Sequence, residues 1–168
     1  MTNFTFRHWG FFFAAASAAI LAAVYVSQYG FGMHPCHLCL LERIPYFVAL
    51  LLALFLVTFH GNRKLARWLI ILLAVTFAAS TALAVFHTGV EYKWWTYNSG
   101  CSGTMFKKGA SAEEILAALK AAPTVRCDDR VDFLFGYTMA FYNALTSGGL
   151  TLLAVYAAIR TSRSALRG

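Results

Sequence analysis

The chain has 168 residues, of which 60% are hydrophobic and only 12% charged, with a formal charge of +7 at pH 7. That balance lies far from the soluble globular norm and points to a membrane protein. The basic residues sit in short tails and turns and do not line one groove, so no nucleic-acid partner is expected.

Four charge-poor apolar runs give the expected spans, at residues 10–29, 38–60, 67–89 and 133–159. At about 1.5 Å per residue each can cross a hydrocarbon core of roughly 30 Å. The first run is long for a signal peptide and ends in Val26-Ser27-Gln28-Tyr29 without a small-x-small cleavage site, so it reads as a retained span. The expected fold is an all-α membrane protein with a single domain over residues 1–168, a four-transmembrane-helix bundle. A short outer loop covers 30–37, and a tight turn around His60-Gly61-Asn62 makes the second and third spans antiparallel neighbours. The long outer loop, 90–132, opens with Tyr92, Trp94, Trp95 and Tyr97, an interfacial aromatic belt. Within it, Ser111 with Glu114 forms a capping box ahead of Ile115, Leu116 and Leu119, which predicts a short interfacial helix on the lipid bilayer. Asn143 is expected to hydrogen-bond a neighbouring helix, and Ser147, Gly148, Gly149 and Thr151 to permit close packing.

Charge sets the expected orientation. Four spans put both termini and the middle turn on one side, with Arg7, Arg63, Lys64, Arg67, Arg160, Arg163 and Arg167 and no acidic residue. Basic short segments stay inside, so both termini are expected to be cytoplasmic. All four cysteines, Cys36, Cys39, Cys101 and Cys127, then face outward, toward the compartment where disulfides persist.

Cys36-His37-Leu38-Cys39 lies where a polar turn meets an apolar run. Cysteines at this spacing can close a small, labile disulfide ring of the electron-trading kind. Cys39 and Arg43 stand at i and i+4, and a helix N-terminus with a nearby guanidinium favours thiolate over thiol. Glu42 offsets part of the Arg43 charge, and His87, at the outer end of the third span, occupies a similar depth. Arg43 and His87 are therefore candidates to hydrogen-bond the two carbonyls of a lipid-soluble quinone. Four cysteines allow three connectivities, of which Cys36–Cys39 with Cys101–Cys127 is the economical one because each pair is local. A c-type haem site would need His after the second cysteine, where Leu40 stands, and a four-cysteine zinc site would need two close pairs. No metal site is therefore expected.

On Pro35-Cys36-His37-Leu38-Cys39-Leu40-Leu41-Glu42-Arg43, His87 and a Cys101/Cys127 loop followed by Asp128, the chain resembles the disulfide bond formation protein B (DsbB) family. The resemblance implies an inner-membrane thiol:quinone oxidoreductase of bacteria that reoxidises a periplasmic, thioredoxin-fold DsbA-like protein. Cys101 would form the mixed disulfide with that partner. Cys127 would then attack Cys36 and release Cys39 as a thiolate beside ubiquinone or menaquinone from the membrane quinone pool, bound by Arg43 and His87. The loop departs from the family pattern, with Ser99-Gly100 where relatives carry Gly-Pro before the third cysteine. The rival readings are a membrane protein with purely structural disulfides and a metal or haem electron carrier.

Overall fold

The structure, a computed structural model, describes residues 2–97, 127, 132–134 and 136–165. Its helices are α1 (Thr2–Gly30), α2 (His37–Leu41), α3 (Arg43–Thr58), α4 (Arg63–Glu91) and α5 (Met139–Ala165). Helices α2 and α3 together make one apolar stretch, His37–Thr58, so the chain has four helical segments long and apolar enough to span a membrane. Helix α3 packs between α1 and α4, and α4 packs against α5. The expected four-helix bundle is what the chain forms.

The second span is broken, and its sequence says why. Pro45 has no N–H for the carbonyl of Leu41, and its ring crowds that carbonyl, so the ladder cannot run through. The chain turns at Glu42, whose N–H caps α2 by bonding to Leu38 O at 3.0 Å. Helix α4 starts after Asn62, whose side chain accepts from the Leu65 N–H at 3.2 Å.

The fourth span begins at Met139, not at 133 as expected. Residues Asp132–Leu134 instead pair antiparallel with Tyr137–Thr138 as a two-stranded ladder, β1 and β2. Gly136, at φ +76°, makes the reversal. An apolar run rich in aromatic residues reads equally as strand or helix end, so hydropathy alone extends the helix too far. Thr138 then caps α5, accepting from the Phe141 N–H at 3.3 Å. The expected interfacial helix at 111–120 lies outside the described residues.

The core joins large side chains to small ones. Phe13, Phe77, Leu56, Ile70 and Leu73 are fully buried, as are Ala49, Ala53, Ala66, Ala154, Ser17, Ser80 and Ser147. Small residues let helices approach where lipid offers no hydrophobic drive to associate. Thr81 and Thr151 meet across α4 and α5 at 3.2 Å, in line with the packing role expected of Thr151. Outward faces carry Leu51, Trp68, Val75 and Leu152, as a surface solvated by acyl chains allows.

Helix α1 lies tightly against α3 at Gly10, where a Cβ would lie 2.7 Å from Val57 Cγ2 and 3.2 Å from Ala53 O. Gly10→Val should therefore destabilise the bundle by about 1–3 kcal/mol through overpacking, read as a lower unfolding midpoint in detergent. Gly149→Ala meets open space and should leave the midpoint unchanged or slightly raised.

Candidate active site

Pro35 delivers the chain in an extended conformation to Cys36, the N-cap of α2, at φ −76° and ψ 173°. Its sulfur accepts from the Cys39 N–H at 3.3 Å, the task Ser or Asp usually performs at a helix start. One turn later the Cys39 sulfur lies within hydrogen-bond distance of the same sulfur, at an Sγ–Sγ distance of 3.1 Å. Both cysteines are free. A disulfide requires about 2.05 Å, so the structure holds the pair as the dithiol form of the redox couple that the spacing suggested.

His87 reaches this pair from α4 and is only 2% exposed, so it is a core residue and not an interfacial one wetted by headgroups. Its Nδ1 lies 2.8 Å from Glu42 Oε1. A carboxylate can only accept, so Nδ1 carries the hydrogen and Nε2 faces Cys36 Sγ at 3.5 Å. Glu91, one turn beyond His87, places Oε1 3.8 Å from the same Nε2, while its Oε2 accepts from the Thr138 hydroxyl at 2.6 Å. The second Glu42 oxygen accepts from Asn143 Nδ2 at 2.8 Å, and Asn143 Oδ1 accepts from Tyr46 OH at 2.5 Å. The interhelical bond expected of Asn143 is thus present, and α2, α3, α4 and α5 meet in one polar network.

Glu42 therefore serves His87 and does not neutralise Arg43, as the sequence suggested. Arg43 is buried and donates to Gln28 Oε1 at 2.7 Å, with its guanidinium carbon 5.2 Å from the centre of the Tyr25 ring. Its Nε is buried without a hydrogen-bond partner among the described residues. A buried donor left unmade costs about 1–3 kcal/mol, so the site is short of one acceptor.

Glu42, Glu91, Gln28, Tyr46 and Asn143 border one cavity of about 380 Å³, with Ile20, Leu21 and Val24 of α1 forming part of its apolar wall. Cys36, Cys39, Arg43 and His87 line it, and so does Cys127. Cys127 is 3% exposed, packs with Cys36, Leu38 and Val90, and is disulfide-bonded. Its bond is to neither Cys36 nor Cys39, which are free. Cys101 lies outside the described residues. Of the six residues expected at the site, five therefore converge. Glu42, read from the sequence only as a neighbour of Arg43, joins them, as do Glu91, Gln28 and Asn143, which were not singled out for the site; the i, i+4 spacing of His87 and Glu91 was the signal for Glu91.

The charge of the dithiol falls on Cys36, whereas helix position and the nearby guanidinium pointed to Cys39 in the sequence. The Cys39 thiol donates to Cys36 and is the largest influence on it; burial opposes, while His87 and the Cys39 N–H add to the lowering. Together they pull Cys36 from the ordinary thiol range down to about 4. Alkylation of Cys36 by iodoacetamide in the reduced protein should therefore be nearly as fast at pH 6 as at pH 8. An ordinary thiol slows by roughly a hundredfold over that interval. His87→Gln removes a lowering influence, so the fall-off moves to higher pH. Peptide mass spectrometry reads both, and an ordinary thiol profile in the unmutated protein contradicts the assignment.

Comparison with known proteins agrees with this geometry. The family model described as disulfide bond formation protein DsbB matches residues 6–157. The chain is also 28% identical over 130 residues to the uncharacterized protein RP370 of Rickettsia prowazekii (strain Madrid E), covering 77% of this chain and 74% of that one. No solved structure matches. A match across nearly the whole chain, over four membrane-length helices with a dithiol at their edge, shows that this multi-pass membrane protein belongs to the DsbB family of disulfide-forming oxidoreductases.

Proposed function

We propose that the protein is an inner-membrane thiol:quinone oxidoreductase that reoxidises a periplasmic, DsbA-like thioredoxin-fold dithiol protein. The observation that carries this reading is the juxtaposition of two sulfur states: disulfide-bonded Cys127 is packed in the same buried cluster as free Cys36, on the wall of one cavity. A staple needs no dithiol beside it, whereas an exchange site needs both. The termini face the cytoplasm and the cysteines the periplasm, a placement supported by the basic, acid-free tails and middle turn.

The partner dithiol attacks Cys101, and the Cys101–Cys127 bond breaks to give a mixed disulfide with a Cys127 thiolate. Cys127 attacks Cys36 in an oxidised Cys36–Cys39 pair, forming Cys36–Cys127 and expelling Cys39 as thiolate into the cavity. The second partner thiol resolves the mixed disulfide and leaves as partner disulfide. Cys101 then attacks Cys127, which restores Cys101–Cys127 and frees Cys36 as a thiol beside Cys39. A bound quinone would take two electrons and two protons as that pair closes again, so that partner dithiol plus quinone becomes partner disulfide plus quinol. The residues present fit such a group. Arg43 Nε lacks an acceptor, the α1 wall is apolar, and the cavity size lies within the range of small-molecule sites. Arg43 would hold one carbonyl. The imidazole of His87, oriented by Glu42, would share a proton between Cys36 and the cavity.

The test is steady-state turnover of purified protein with a reduced thioredoxin-fold dithiol protein and a short-chain quinone. Cys39→Ser should abolish quinone reduction while leaving partner exchange at Cys101. Arg43→Gln should raise the KM for quinone about tenfold or more, the cost of a lost charge-assisted hydrogen bond. Unchanged turnover in both variants would sink the assignment.

A further inference from the structure

The two thiols and His87 have a second capability that electron transfer does not use. Cys36 Sγ, Cys39 Sγ and a His87 ring nitrogen lie within 4.8 Å of one another. A tetrahedral zinc ion, with Zn–S near 2.3 Å and Zn–N near 2.0–2.1 Å, holds its sulfurs about 3.8 Å apart and sulfur about 3.6 Å from nitrogen. Here Cys36 Sγ is 3.5 Å from Nε2, already at that spacing. The sulfurs, at 3.1 Å, need to part by only about 0.7 Å, a small side-chain rotation.

The surroundings complete the requirement. Glu42 accepts from Nδ1 at 2.8 Å, which fixes the tautomer that presents the Nε2 lone pair; this carboxylate–histidine support is the usual outer contact of a metal-bound imidazole. Among the described residues only these three bring ligand atoms within 4.8 Å of one another, so the fourth position is left to a solvent molecule. The cavity provides the way in. Two thiolates neutralise a divalent cation, which removes the main penalty against placing it at the membrane edge.

We propose that Cys36, Cys39 and His87, with a solvent molecule at the fourth position, form a site for Zn²⁺ that exists only in the reduced protein and blocks its reoxidation. Binding replaces the two protons shared among the two sulfurs and Nε2, both of which leave to solvent; no electrons move. Closing the Cys36–Cys39 disulfide destroys two of the ligands, so metal binding and catalytic oxidation exclude each other. The site is independent of the proposed function, whereas the block rests on it. Residue spacing does not reveal it, because the third ligand lies 51 positions away from Cys36 and on another helix.

The experiment titrates full-length reduced protein in detergent with Co²⁺, a spectroscopic stand-in for zinc, and then displaces it with Zn²⁺. One equivalent of cobalt should give a thiolate charge-transfer band and the visible bands of a tetrahedral ion, and one equivalent of zinc should abolish both. The bands should be absent from protein oxidised at the Cys36–Cys39 pair and from Cys36→Ser. Glu42→Gln, which keeps all ligands, should weaken affinity about 10- to 100-fold. Absence of the bands in reduced protein, or their survival in the oxidised form or in Cys36→Ser, overturns the site. A Glu42→Gln affinity equal to that of the unmutated protein overturns the orienting argument. Zinc at saturation should also stop oxidation of the reduced pair by quinone, and normal oxidation overturns the block. If the reduced protein binds metal yet never reduces quinone in zinc-free buffer, the metal site stands and the proposed function falls.

Discussion

The contact between Glu42 and His87 holds the site in register. Glu42 sits at the break between α2 and α3, His87 near the end of α4, and their 2.8 Å contact is almost wholly removed from solvent. Removing one partner from such a buried pair typically costs about 3–5 kcal/mol, because the other is left uncompensated. The second Glu42 oxygen carries the link on to α5 through Asn143, so one carboxylate ties together the second, third and fourth spans. The same contact settles which imidazole nitrogen faces the sulfurs. Mechanical and chemical organisation thus depend on one side chain.

The break that exposes Glu42 follows from Pro45. An unbroken helix would bury the α2 carbonyls in their own ladder and carry Cys36 and Cys39 on a regular helical surface. The interruption instead leaves a five-residue helix, and Pro35, ahead of it, makes the Cys36 sulfur its N-cap. Cys36 thereby gains the Cys39 N–H as well as the Cys39 thiol and His87, and becomes the anionic member of the pair. Placing cations and anions at this depth is expensive in lipid, which is why Arg43 is matched to Gln28 and to the Tyr25 ring and is not left to the acyl chains.

Much of this was legible in the sequence. The four apolar runs announced the bundle, the Cys36/Cys39 spacing announced the dithiol, and Arg43 and His87 were placed beside it by counting turns from either end of their helices. What escaped were features that depend on relations between distant residues. Hydropathy could not separate the β1–β2 ladder from the first turns of α5, because aromatic and apolar residues serve both. Glu42 looked like a neighbour for Arg43 because the two are adjacent, but adjacent helical residues point to different faces, and Glu42 turns to His87. The position of the charge on Cys36 was hidden for the same reason: it is set by donors converging from α2 and α4, while helix position and the nearest cation favoured Cys39.

The most direct measurement is a single-turnover thiol count. Reduced Cys127→Ser protein, in which the new bond cannot pass on to residue 127, is mixed with one equivalent of short-chain quinone, quenched in acid, and its free thiols are mass-tagged and assigned by peptide. Cys36 and Cys39 should lose their thiols together, two for each quinone consumed. A pair that keeps both thiols, with the quinone unreacted, would contradict the account at its centre.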